Sequence, residues 1–352
     1  MKINITKEIL KFLKKAITIA QKSSISGVLI KDNSIIANNG DLSISYTDSD
    51  NIDINEKIVM PIKALQYLSA FPVGKIVTMD VKDIMVTIKC GKSRTTIPLL
   101  SVDYPFSDTT EYTESITIDK ETIEIIKNAS ISADINEKVA VCRCVRLKMS
   151  DGKPVVFSTD KYQATYAELP SESMLDISFT VDNIPYIYCD ELLTSDNEIK
   201  FSVSSDNRRC VVENGVYKAV FTLVYYGEFD IRNSINVAKD GAKKLTVLKS
   251  ELYDVCKRAS IIGEKERKII LDFKKDSLTI TLNSDITKFE EEIQTTNSEF
   301  DDEGLKVCVR IDQLLKQLSN FNDVVTLYGK MNLTPVILEE KYQALLMPLR
   351  IS

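Results

Sequence analysis

One stretch is written three times along this chain, and that repetition limits the fold more than any single motif does. Residues 57–100 read KIVMPIKALQYLSAFPVGKIVTMDVKDIMVTIKCGKSRTTIPLL. A short alternating strand runs into Met60-Pro61, an amphipathic helix follows to Phe71, and a glycine-containing turn leads into alternating strands. The same order returns from Ile177 to Val224 and from Lys306 to Leu349. Copies spaced about 120 residues apart are too long for a solenoid and point to whole domains in tandem. The segments ahead of the copies match as well. Helices are predicted over Lys7–Lys22, from Asp119 through Ala129, and over Glu251–Ile262, each entered from a short strand. A hairpin follows each, its second arm restarting at an aspartate: Asp41, Asp160 and Asp285. The expectation is an α+β chain of three alike modules, each with two helices on curved antiparallel sheets, divided as 1–112, 113–240 and 241–352.

The residue inventory removes most enzyme classes. The 352-residue chain contains no histidine, which deletes the commonest general base and the commonest metal ligand together. Gly91-Lys92-Ser93 resembles the end of a phosphate loop, but Val86 stands where that loop needs glycine and the surroundings alternate as strands. The acidic runs Glu290–Glu292 and Asp301–Glu303 lack the ligand spacing and turn glycine of a calcium loop. Seven cysteines with no C-x-x-C pair read as buried thiols in a reducing cytoplasm, with no metal and no cofactor. No segment has the apolar length to span a bilayer.

With 45 basic against 51 acidic residues the chain is acidic, so any contact with nucleic acid needs a local basic surface. The first helix supplies one. Wound at the helical period, Lys7, Lys11, Lys14, Lys15 and Lys22 fall within an arc of about 100°, opposite Ile9, Leu10, Leu13, Ala16, Ile17 and Ala20. Lys257 lies on the polar side of the equivalent helix in the third module.

Several segments, taken in register, then resemble one family. Thr87-Ile88-Lys89-Cys90-Gly91-Lys92-Ser93-Arg94 with Ile97-Pro98 and Asp103-Tyr104-Pro105 is similar to the end of the first domain of bacterial sliding clamps, the beta subunit of DNA polymerase III. Phe157-Ser158-Thr159-Asp160 resembles that family's Thr-Asp segment, and Leu346-Met347-Pro348-Leu349-Arg350-Ile351 its Met-Pro tail. The resemblance implies a non-catalytic clamp: a head-to-tail homodimer whose six domains ring duplex DNA without reading its sequence. Sphere packing agrees with that count. Domains of about 117 residues are roughly 34 Å across, so six leave a hole of about 34 Å and three leave about 5 Å. Duplex DNA, on the order of 20 Å wide, passes only the larger.

The same resemblance implies three sets of residues. Lys7, Lys11, Lys14, Lys15, Lys22 and Lys257 would face DNA. Thr95 and Ile97, on an edge strand, would meet Ile261 and Ile262 of the neighbouring subunit. A groove built from Cys142, Thr159, Lys161, Tyr162, Gln163, Ala164, Ile235, Leu345, Met347, Pro348, Leu349 and Arg350 would take short peptides of the replicative polymerase, the clamp loader and other clamp-binding proteins. Lys161-Tyr162-Gln163 stands where the family has Gly-His/Tyr-Arg, and Phe229-Asp230 where it has Phe-Pro. Those departures keep a second expectation in view, a ring-shaped paralogue serving repair or acting as a decoy.

Overall fold

The computed structural model describes residues 1–105, 111–194, 197–227, 229–263, 268–283 and 288–351. Among them the helices are α1 (Lys7–Gln21), α2 (Ile62–Ser69), α3 (Lys120–Ala129), α4 (Ile184–Ile187), α5 (Asp190–Leu193), α6 (Ile231–Lys239), α7 (Lys249–Ile262) and α8 (Ile311–Leu318). The chain divides into two compact units, each drawn from two stretches: Met1–Ile123 with Asn183–Leu223, and Glu124–Asp182 with Val224–Ser352.

In the first unit α1 begins where Thr6 leaves the strand conformation and its hydroxyl accepts a hydrogen bond from the Ile9 amide at 3.1 Å. That bond satisfies one of the amides a helix start leaves open. Ile9, Phe12, Leu13, Ala16, Ile19 and Ala20 are buried, as an apolar arc at this period requires. Phe12 lies 5.4 Å from the Tyr46 ring and 6.2 Å, edge-on, from Tyr217. α1 packs on α2 and on the strands Gly27–Lys31 and Ser34–Asn38.

Two antiparallel sheets carry these helices. The five-stranded one runs Ile52–Asp53, Lys2–Asn4, Ile76–Lys82, Met85–Cys90, Ser93–Pro98. The eight-stranded one runs Tyr112–Ile118, Ile199–Ser204, Arg209–Glu213, Tyr217–Thr222, Leu42–Thr47, Ser34–Asn38, Gly27–Lys31, Ile58–Pro61. Its centre joins a strand ahead of the first repeated copy to one within the second, with Tyr217 opposite Tyr46 and Phe221 opposite Leu42.

The second unit repeats the plan. Its nine-stranded sheet runs Ile177–Thr180, Cys144–Ser150, Lys153–Thr159, Gln163–Glu168, Gln343–Leu346, Val336–Glu339, Val324–Gly329, Lys243–Leu248, Asn297–Ser298. A four-stranded sheet holds Lys288–Gln294, Ser277–Asn283, Lys268–Phe273 and Leu305–Arg310 in that order. α7 and α8 pack together over a core that includes Leu252, Val255, Leu271, Phe273, Leu314 and Leu327. Gly304 turns with φ +69° directly against the Phe273 carbonyl, a place that no side chain could enter.

The predicted helices stand within a residue or two of their expected bounds, with one difference. The second copy's helix is two single turns, α4 and α5, separated at Tyr188 and Cys189, where Cys189 is extended. Of the three hairpin aspartates, Asp41 immediately precedes the strand Leu42–Thr47 and Asp160 sits in the turn before Gln163–Glu168. The third, within Ser284–Thr287, lies outside the described residues.

Candidate DNA face and partner groove

The lysine stripe of α1 is not uniform. Lys7, Lys14 and Lys22 are exposed. Lys11 instead donates to the Asp190 carboxylate, and Lys15 donates to Glu191, both in the first turn of α5. The Lys11 hydrogen bond raises that ammonium's pKa and, reciprocally, lowers that of the exposed Asp190 carboxyl. Lys15 is enclosed further, its ammonium 5.8 Å from the centre of the Tyr217 ring. The Glu191 side chain is 1% exposed, and its Oε1 has no hydrogen-bond partner among the described residues. Two of the five lysines therefore fasten α1 to α5. On α7, Lys257 is exposed, while the neighbouring Arg258 holds Glu291 on the strand Lys288–Gln294.

Several of the expected groove residues meet inside the second unit. Strands Gln163–Glu168 and Gln343–Leu346 pair antiparallel, with Gln163 opposite Leu346 and Ala164 opposite Leu345. Beyond the ladder the Met347 amide donates to the Tyr162 carbonyl at 2.8 Å, and the Leu349 amide to the Cys308 carbonyl at 2.8 Å. The tail is thereby fastened at Met347 to the Thr-Asp loop and at Leu349 to the strand Leu305–Arg310. Ala164, Leu345 and Ile235 of α6 share one buried cluster with Val155, Phe157, Tyr166 and Ile337. Above this apolar floor Tyr162 is 52% and Met347 40% exposed. Cys142 is buried in the turn Ala140–Arg143, and burial pushes its thiol pKa up against the pull of Lys161.

Lys161 has φ +81°, a left-handed backbone that a side chain disfavours. It is held from several directions. The Thr159 hydroxyl accepts from the Lys161 amide at 3.2 Å and donates to the Gln163 carbonyl at 2.7 Å. The Lys161 ammonium donates to Glu137 at 2.8 Å. Asp160 accepts from the amides of Tyr162 and Gln163, each at 2.9 Å.

Three further residues contribute near this groove without having been assigned to it from the sequence. Asp230 caps α6 through the Arg232 amide at 2.8 Å and pairs with Lys148 at 2.9 Å. Phe229, 6.1 Å from the Phe157 ring, stands beside it. Gln317 of α8 is fully buried and bonded to Gln163 at 2.9 Å. The Phe229-Asp230 departure was a visible signal for the first two; nothing in the sequence marked Gln317.

Among the described residues the strand Ser93–Pro98 is an edge, paired only with Met85–Cys90, and Thr95 and Ile97 on it are half-buried between exposed neighbours. At the end of α7, Ile261 is 68% and Ile262 46% exposed. The helical period puts Ile262 on the apolar arc, yet in this last turn it is open to solvent. Among the described residues no three His, Cys, Asp or Glu side chains converge to hold a metal, and no helix is long and apolar enough to cross a membrane.

Comparisons with known proteins match this arrangement. A structure of the sliding clamp from Pseudomonas aeruginosa bound to griselimycin superposes over the full length of both chains with a TM-score of 0.83 at 17% identity. The Caulobacter crescentus pol III beta structure does so with a TM-score of 0.84 at 20% identity. The Borrelia burgdorferi DNA polymerase III subunit beta, in complex with a natural product, gives 0.84 at 19%, covering 100% of this chain and 99% of its own. No curated protein sequence matches the chain. The chain has the fold of the DNA sliding clamps. Residues 237–349 match the family of the DNA polymerase III beta subunit, C-terminal domain.

Proposed function

We propose that this protein is a DNA sliding clamp: a homodimer of three-module subunits that encircles duplex DNA and tethers a replicative polymerase, exchanging it with the clamp loader and other peptide-bearing partners. It acts in the cytoplasm as an accessory subunit, without catalysis of its own. The modules would be 1–112, 113–240 and 241–352, and the ring would close where Thr95 and Ile97 meet Ile261 and Ile262 of the next subunit. The observation that carries the reading is the groove. Strands Lys153–Thr159, Gln163–Glu168, Val336–Glu339 and Gln343–Leu346 with α6 form an apolar floor, and two half-exposed residues, Tyr162 and Met347, flank the pairing of Gln163–Glu168 with Gln343–Leu346. Such a surface suits a short peptide with one or two apolar side chains.

Lys7, Lys14, Lys22 and Lys257 would meet phosphates, which carry no sequence information and leave the ring able to slide. Lys11 and Lys15 would contribute mainly through the position of α1. The test is retention. On a nicked circular duplex, clamp loaded by its own loader should stay bound through a salt wash and run off once the circle is cut. Equal loss from circles and linear fragments would refute the ring. Stimulation of the host's replicative polymerase separates this reading from a repair or decoy paralogue.

A further inference from the structure

A fully enclosed set of polar side chains lies behind the groove, and it ends on the loop that forms the groove's rim. Gln317, on the inner face of α8, is 0% exposed, as are Ser132 and Thr165, and Gln163 is 3% exposed. The Gln317 amide nitrogen donates to Ser132 Oγ at 2.7 Å and to Gln163 Oε1 at 2.9 Å. Its oxygen accepts from Thr165 Oγ1 at 2.8 Å, while the Ser132 and Thr165 hydroxyls lie 2.7 Å apart. Gln163 then passes its own amide hydrogen to Asp160 Oδ2 at 2.8 Å. The other Asp160 oxygen holds the amides of Tyr162 and Gln163. Every step from α8 to the loop is a hydrogen bond.

The loop needs such support because Lys161 occupies the left-handed region, which side chains leave unless their surroundings over-determine them. We infer that Gln317 is a positioning residue for the groove: through Gln163 and Asp160 it keeps the Lys161 turn left-handed and so sets Tyr162 beside Met347. Gln317 touches no bound peptide; it acts on the anchor at one remove. This inference rests on the peptide-groove reading, and its test is chosen so that the two can fail separately.

The variants are Gln317→Met, which keeps volume and removes the hydrogen bonds, and Lys161→Gly, which makes the left-handed turn free of strain. Griselimycin is the probe, with affinity read by calorimetry and amide exchange at residues 160–163 read by mass spectrometry. Q317M is expected to weaken binding about tenfold, the size of one strained backbone conformation, and to speed loop exchange. In a K161G background, adding Q317M should change neither affinity nor loop exchange, since a glycine turn no longer needs the relay. A purely structural glutamine would lower the melting temperature with affinity and loop exchange unchanged, and that result overturns the inference; so does an effect of Q317M on either that persists in the K161G background. If Q317M does not fold, Ser132→Ala removes two bonds of the same set, those to Gln317 and Thr165, and is judged by the same criteria. If the wild-type protein binds no griselimycin, the peptide-groove reading loses its support, and loop exchange in Q317M alone decides whether the relay holds the turn.

Discussion

Replacing Lys15 by alanine should destabilise the first unit without directly removing a DNA contact. The Glu191 side chain is 1% exposed and already has one oxygen without a partner. Truncating Lys15 leaves that carboxylate buried with no counter-charge. Breaking a buried pair from one side costs about 3–5 kcal/mol. Lys15 is itself a quarter exposed, which places the cost at the lower end, about 3 kcal/mol with the Tyr217 ring interaction included. For a unit of this size that is a fall of roughly 6–12 °C in its melting transition, read by scanning calorimetry. The control is Lys14→Ala. It is exposed, should leave melting unchanged, and should reduce the slope of duplex affinity against salt by about 0.9 for each phosphate that Lys14 neutralises. A K15M/E191L double variant, which replaces the pair by apolar groups, should recover most of the stability that K15A forfeits. The reasoning is refuted if K15A melts within about 1 °C of wild type while lowering the salt slope as K14A does. Lys15 would then be a phosphate ligand and not a fastening.

Two further outcomes follow from the geometry. An I261D/I262D variant should sediment as a monomer at concentrations where wild type is a dimer. Each isoleucine withheld from an interface forfeits about 1.5–3 kcal/mol, or roughly 10- to 150-fold in dissociation constant. Unchanged mass with intact secondary structure would sink the proposed closure. Acid should destabilise the second unit through Asp230 and Glu339. Burial tends to raise both carboxyls, but Lys148 and the Arg232 amide outweigh it at Asp230, and Lys239, Tyr328 and Gln343 at Glu339, so both lie below their ordinary values. A depressed folded pKa gives stability that is complete above the unfolded value near 4 and drains away as pH falls through the folded one. Melting temperature should hold from pH 7 to about 5 and drop below about 4, with a shallower acid limb in D230N and E339Q. An identical limb in both variants contradicts the assignment.

Much of this fold was legible because its signals are local. The lysine and apolar arcs of α1 are read directly from a period of 3.6, and Thr6 marks where the helix starts. The Thr-Asp and Met-Pro segments, singled out in the sequence, meet where the Met347 amide donates to the Tyr162 carbonyl. What the sequence hid is set by distant pairing. Nothing in the spacing of Lys11 and Lys15 announces that Asp190 and Glu191 will meet them, because an ion pair between remote segments has no period. At Lys161 the only hint of a left-handed backbone was the glycine that the resembled family has there; the Asp160 and Thr159 side chains that hold the turn in this chain do not show in the spacing. Ile262 shows where periodicity alone stops: it falls on the apolar arc of α7 yet is 46% exposed.

The strand Leu42–Thr47 finds its neighbour Tyr217–Thr222 only after about 175 further residues have been made. At ribosomal rates of about 5–20 residues per second, the emerging chain carries an open row of amides and carbonyls for roughly 10–35 s. During synthesis, then, the amino-terminal portion is an unfinished sheet whose missing strand is still being translated. Stop codons or pauses placed before Tyr217 should yield fragments that aggregate or occupy chaperones.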